Sequence, residues 1–166
     1  MSQPPKKAEL DWDDRVSLPV ESDFDPLGCS LDGQWAWNEF GGLTRAGAFE
    51  KFRLDAGRQS EQFLFMGDRA FAFYYPVVER YLREFAWRGP RDDGPMSDAW
   101  ILGKTVAYHF EPGDLPSNPE ELASLKPRIR ELARWITDHL PQFTMDPEEQ
   151  REISQVWKDV EALLDN

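Results

Sequence analysis

Residues 63 to 87, FLFMGDRAFAFYYPVVERYLREFAW, put nine aromatic side chains into one run and include three of the chain's four tyrosines. Aromatic rings carry the largest apolar area of any side chains, so this run forms the centre of the fold and the other segments have to cover it. Pro76 divides it. With no amide hydrogen and a fixed φ, the proline suits the first position of a helix, and Val77, Val78, Tyr81, Leu82 and Phe85 then form one apolar stripe. On the other side, Glu79 with Arg83 and Arg80 with Glu84 are spaced for ion pairs four residues apart. Before the proline the pattern has two readings. Phe71, Phe73 and Tyr75 alternate as in a strand, while Asp68 followed by Arg69, Ala70 and Phe71 suits a helix kinked at Pro76, which is the reading adopted.

The flanking segments read as helices. Trp35, Ala36, Trp37 and Phe40 sit at helical spacing in Leu31–Phe40, which ends at Gly41-Gly42. Thr44 is placed to cap a short helix carrying Ala48, Phe49 and Phe52 that ends near Asp55-Ala56-Gly57, and Ser60 to cap a further turn with Phe63, Phe65 and Met66. Ser97 starts a segment in which Ala99, Leu102, Val106, His109 and Phe110 share a helical face, although Thr105 to Phe110 also tolerates a strand and Gly103 weakens a helix by about 1 kcal/mol. Residues 88 to 96 and 111 to 119 are Gly- and Pro-rich loops.

Asn118 and Pro119 open a helix that Pro127 restarts or kinks, with Ile129, Leu132, Ala133, Ile136 and Leu140 as its stripe. Pro141 ends it. Asp146, Pro147, Glu148 and Glu149 open the last helix, whose apolar face is Ile153, Val156, Trp157, Val160, Leu163 and Leu164. The expectation is an all-α fold: one irregular bundle of five to seven helices, closed by a C-terminal helical hairpin from Pro119 to Leu164. The alternative is α+β with a small strand pair. Residues 1 to 10 read as a mobile tail, and residues 11 to 166 as one helical domain with an acidic arm over 11 to 32 that packs on the body in extended form. Lys126, Arg130 and Arg134 on one helix of the hairpin face Glu148, Glu149, Glu152, Asp159 and Glu161 on the other, a pattern that reads as mutual compensation.

Charge narrows the function. The 31 acidic residues outnumber the 19 basic ones for a net charge of −12, which repels a phosphate backbone and an anionic membrane surface. Nucleic acid is therefore disfavoured as a partner, and no apolar run approaches the roughly 18 residues of a membrane span. Cys29 is the sole cysteine, so no intrachain disulfide forms. With no apolar h-region near the start, the expected compartment is the cytoplasm.

Chemistry-bearing motifs are missing. Gly103-Lys104-Thr105 looks like the end of a phosphate-binding loop, but Asp98 stands where its first glycine belongs and the stretch reads as helix, whose amides are already engaged. His109, His139 and Cys29 share no ligand spacing, so no metal and no cofactor are expected. Cys29 lies among Asp23, Asp25 and Asp32 rather than in the electropositive setting a thiolate nucleophile needs. Neither a nucleophile elbow nor a distinguished carboxylate pair singles out a catalytic group, and the chain is read as leaning away from an enzyme.

What remains is aromatic surface. Trp35, Trp37, Tyr74 and Tyr75, with Arg69 beside them, form the candidate binding surface, because interfaces are enriched in these residue types. Adjacent helical residues point about 100° apart, so one of the two tyrosines is expected to reach solvent or a cleft. The leading function is a non-enzymatic, acidic interaction protein: an adaptor, accessory or toxin-neutralising subunit with a protein partner. The alternatives are a small-molecule-binding helical domain, with an enzyme as one form of it, walled by the same aromatics, and an acidic mimic of DNA.

Overall fold

The computed structural model describes residues 17–85, 98–113 and 119–166. The tail at 1–10, the arm up to residue 16, the whole 88–96 loop, Ser97, and residues 114–118 of the second loop, with Asn118, lie outside the described residues. Eight α-helices occur among those described: α1 (Glu21–Phe24), α2 (Leu31–Phe40), α3 (Arg45–Leu54), α4 (Ala56–Phe65), α5 (Asp68–Phe85), α6 (Asp98–Phe110), α7 (Pro119–Asp138) and α8 (Pro147–Leu164), with a 3₁₀ turn at Leu140–Gln142. The fold is all-α. The described residues contain no strand, and both ambiguous stretches, 69–75 and 101–110, are helical.

The helix count exceeds the expected five to seven, for two reasons. First, the arm is not fully extended, since it winds one turn as α1 and buries Phe24. Second, α4 is a full helix from Ala56 to Phe65 rather than a short turn, because Asp55 caps it by accepting from the Arg58 amide at 3.3 Å. Ser60 is no cap: it sits inside α4 and donates to the Gly57 carbonyl at 2.7 Å, a bond that mid-helix serines commonly make.

α5 is the axis of the molecule, packing against α1, α3, α6 and α7. It runs through Pro76 without a break. An internal proline costs roughly 3 kcal/mol by removing one ladder bond and crowding the preceding turn. Two features offset this cost. Arg45 of α3 donates from Nε to the Phe73 carbonyl at 2.6 Å, supplying a donor at the turn the proline disrupts. The helix also buries Phe71, Tyr74, Tyr75, Val77, Val78, Tyr81 and Leu82, each contributing on the order of 2 kcal/mol relative to exposure. The pairs Glu79–Arg83 at 3.5 Å and Arg80–Glu84 at 2.9 Å form as the spacing predicts.

The C-terminal hairpin forms, with α7 continuous through Pro127 rather than restarted there. The stripes read from the sequence are buried, including Ile129, Leu132, Ala133 and Ile136 on α7 and Ile153, Val156, Trp157, Val160 and Leu164 on α8. Gly103 finds its reason in the approach of α6 to α8: a Cβ there would stand 2.7 Å from Val156 Cγ1 and 3.1 Å from Trp157 Nε1. Trp157 in turn donates to the Ala99 carbonyl at 2.9 Å, joining the two helices one turn away.

Candidate functional site

Two surface grooves flank the first turns of α5. One is built on the corner between α1 and α2, against which Gly67, in the link between α4 and α5, packs closely. A Cβ at Gly67 would lie 2.3 Å from the Asp23 carbonyl, and the Gly67 amide donates to the Phe24 carbonyl at 2.9 Å. Only glycine lets the backbones approach this closely. Phe24 then enters the core, and Asp25, itself buried, holds the turn by accepting from the Ser30 amide at 3.2 Å and from Gln34 Nε2 at 3.4 Å. Ser30 caps α2 through the Gly33 amide at 3.1 Å.

Between that corner, the junction of α4 with α5 and the end of α6 lies a groove of about 220 Å³, whose walls include Leu27, Phe65, Met66 and Tyr108 and whose polar lining includes Asp32 and Asp68. At its edge His109 is stacked on Phe71, with ring centroids 3.9 Å apart. Its Nδ1 is 3.1 Å from Asp68 Oδ1 and its Nε2 is 2.7 Å from the Phe63 carbonyl. A carbonyl only accepts, so the short Nε2 contact is one the ring donates, while Nδ1 faces the Asp68 carboxylate. His109 thus ties α4, α5 and α6 together. With both nitrogens occupied, it has none left to act as a base on a ligand.

The second groove, about 380 Å³, runs between the segment before α1, α3, the first half of α5 and the start of α7. Arg69, Ala72 and Phe73 line it. Its charges are compensated from within: Arg69 lies 3.5 Å from Asp23 and 3.3 Å from Glu121, while the Arg45 guanidinium sits 4.3 Å over the Phe73 ring as its Nε bonds the Phe73 carbonyl.

The five residues expected to form a binding surface are not brought together. Tyr74 and Tyr75 are both fully buried, and neither reaches a cleft, because helices cover α5 on both of the sides to which they point. Tyr74 is a bonded core residue. Its hydroxyl lies 2.8 Å from the Leu43 carbonyl and 3.0 Å from that of Phe40, and burial pushes its pKa up to about 12. The Tyr75 hydroxyl has no hydrogen-bond partner among the described residues, and burial drives its pKa well above the usual tyrosine range. Trp37 is half-buried with its ring edge-on to Phe24, 5.3 Å between centroids. Arg69, itself exposed, belongs to the second groove, and Trp35 is the one exposed aromatic of the set.

Trp35 has company that the sequence reading missed. Leu31, one turn before it on α2, is 81% exposed and Trp35 54%, while Leu27 and Tyr108 on the first groove are 55% and 48% exposed. The inner face of α2 is made of Gly33, Ala36 and Phe40, all buried, and a Cβ at Gly33 would stand 2.8 Å from the Phe24 carbonyl. The signal was available: Gly33, Ala36 and Phe40 share one helical face, which sets Leu31 and Trp35 on the opposite one.

Among the described residues no group of three His, Cys, Asp or Glu side chains is gathered as for a metal ion, and no helix is long and apolar enough to cross a membrane. Compared with known proteins, the chain matches no family model, no curated protein and no solved structure, so its reading rests on its own residues.

Proposed function

We propose that this protein is a non-enzymatic interaction subunit, an adaptor, accessory or toxin-neutralising protein of the cytoplasm, and that it meets its protein partner through the outer face of α2 and the groove beside it. The observation that carries the reading is the row Leu31 and Trp35, continued by Leu27 and Tyr108 at the groove. Single exposed apolar residues are ordinary, but neighbouring large ones around a concavity are what interfaces present. Tryptophan and tyrosine are also the usual anchors of such surfaces. The net charge of −12 favours a partner with a basic face and speeds their encounter at low salt.

The small-molecule alternative draws no support from Tyr74 and Tyr75, which are core residues. The mimicry of DNA requires a face of uncompensated acids, whereas in the hairpin Arg134 approaches Glu161 at 3.4 Å and Arg130 pairs with Asp165.

Affinity capture from native lysate, run in parallel with the wild-type chain and a Leu31→Ser/Trp35→Ser variant, tests the proposal. A stoichiometric protein recovered by the wild type and lost from the variant, with helical circular dichroism unchanged, is the expected result. Equal recovery by both, or recovery by neither, overturns it.

A further inference from the structure

Resting on the interaction reading above, we infer that the groove beside α2 receives one basic side chain, an arginine or lysine, carried by an apolar-flanked segment of the partner. Size is the first argument. Pockets that enclose whole small molecules run from about 300 to 1,000 Å³. At about 220 Å³, this groove falls below that range and suits one long side chain.

Charge is the second. Asp25, Asp32 and Asp68 line the groove and no lysine or arginine does; its histidine, His109, is held by Asp68 and the Phe63 carbonyl. From Ser17 through Thr44 the chain has no basic residue, against Glu21, Asp23, Asp25, Asp32 and Glu39. Most of these acids have work inside the protein: Asp25 holds the turn before α2, Asp23 faces Arg69 at 3.5 Å and Glu39 binds Lys51 at 2.7 Å. Asp68 is engaged by His109. Asp32 is different. It is exposed on the first turn of α2, lines the groove, and makes no ion pair among the described residues. The wider groove near Arg69 offers no such unmatched charge.

The walls complete the match. Lysine and arginine bury their methylene stems along apolar surface and keep the charged head at a polar edge. Leu27, Phe65 and Met66 provide that surface here, Asp32 the counter-charge, and the half-exposed Tyr108 ring a face for a cation. Apolar residues flanking the basic one then fall on Leu31 and Trp35, the adjoining row of α2. Guanidinium is the better fit of the two heads, since it is the less strongly hydrated and stacks on aromatic rings.

The test is a titration of the isotope-labelled full chain with three capped tripeptides, acetyl-Leu-Arg-Leu-amide and its lysine and norleucine counterparts, followed by amide NMR shifts. The arginine and lysine peptides are expected to shift Leu27, Asp32 and Tyr108, and the norleucine peptide far less at the same concentration. Asp32→Asn, which keeps the shape and the helix start, should weaken the arginine peptide by about fivefold, the scale of one exposed ion pair. Added salt should weaken it further. Equal shifts from the norleucine peptide, no shift at these amides, or indifference to Asp32→Asn would each overturn the inference. If that happens while capture still depends on Leu31 and Trp35, the interaction surface stands without its cationic anchor. If capture shows no such dependence, the partner reading itself falls, and the inference with it.

Discussion

The helix α2 and the hairpin of α7 and α8 solve the same problem in opposite ways. In the hairpin every large apolar residue of the stripe from Ile153 to Leu164 points inward, and the charged rows outside compensate each other through Arg134–Glu161 and Arg130–Asp165. α2 is equally anchored, but by Gly33, Ala36 and Phe40, an inner face so tight that a single Cβ on Gly33 would collide with the Phe24 carbonyl. Its large apolar residues, Leu31 and Trp35, are left outside. Exposure of an apolar side chain is therefore no sign of a loosely held helix here. The hairpin stabilises the fold, and α2 spends the fold's rigidity on a surface.

The comparison can be broken most severely at Trp157. Its ring is completely buried and its indole nitrogen bonds the Ala99 carbonyl, so Trp157→Ala should cost about 3–5 kcal/mol. Denaturant unfolding followed by circular dichroism measures this, and a loss below about 1 kcal/mol would mean that α8 does not pack as described. Gly67→Ala comes next, at about 3 kcal/mol, because the added methyl meets backbone rather than a side chain that can swing away. It should also perturb the Asp25 turn and the groove, which hydrogen exchange at Ser30 and Gly33 would report.

The adjacent tyrosines sharpen the contrast within one helix. Tyr74→Phe takes the hydroxyl donor from the Leu43 carbonyl, while the Phe40 carbonyl keeps the Leu43 amide at 3.1 Å, and should cost about 1–2 kcal/mol; Tyr75→Phe removes a hydroxyl without a partner and should be neutral or stabilising. Equal effects of the two changes would show that the bonding difference is not real. Alkali provides a second check. With Tyr74 at about 12 when folded and about 10 when unfolded, the unfolded chain binds fewer protons between those values. Stability is therefore fully present below pH 10 and falls as pH rises toward 12, by roughly 3 kcal/mol for this residue. Tyr75, shifted in the same direction, steepens the loss. The smallest stability effect belongs to the functional surface: Leu31→Ala and Trp35→Ala should each stay within about 0.5 kcal/mol of wild type in the same unfolding assay. A large loss at either would place it in the packing and remove it from the proposed interface.

How far the fold was legible depended on the period of each segment. α8 and the second half of α5 have long, unbroken 3.6-residue stripes with a proline at the start or a capping acid, and both were readable. The stretch 69–75 was read as helix only against a strand alternative, because alternating and helical patterns coincide when nearly every residue is aromatic or alanine, and only the layers around α5 decide that both faces are covered. Asp55 was overlooked as a cap because it also closes α3; a residue that ends one helix and starts the next gives one signal where two are needed. The candidate site was less legible still. Its walls come from three stretches distant in sequence, 24–32, 64–68 and 108–109, and Tyr108 enters it only because α6 packs beside α4.

The amino-acid sequence by itself determined an all-α chain, its strong acidity, the helical hairpin and the central place of residues 63 to 87, since these follow from periodicity, capping chemistry and composition, all local properties. Tertiary structure alone decided which rings are core and which are surface. Tyr74, Tyr75 and Trp35 look alike as aromatic residues, and what separates them is their neighbours: the tight corners at Gly33 and Gly67 draw α1 and α2 inward, so that Phe24 and Phe40 pack on Tyr74 and Leu31 and Trp35 turn toward solvent, while Arg128 of α7 lies over Tyr75.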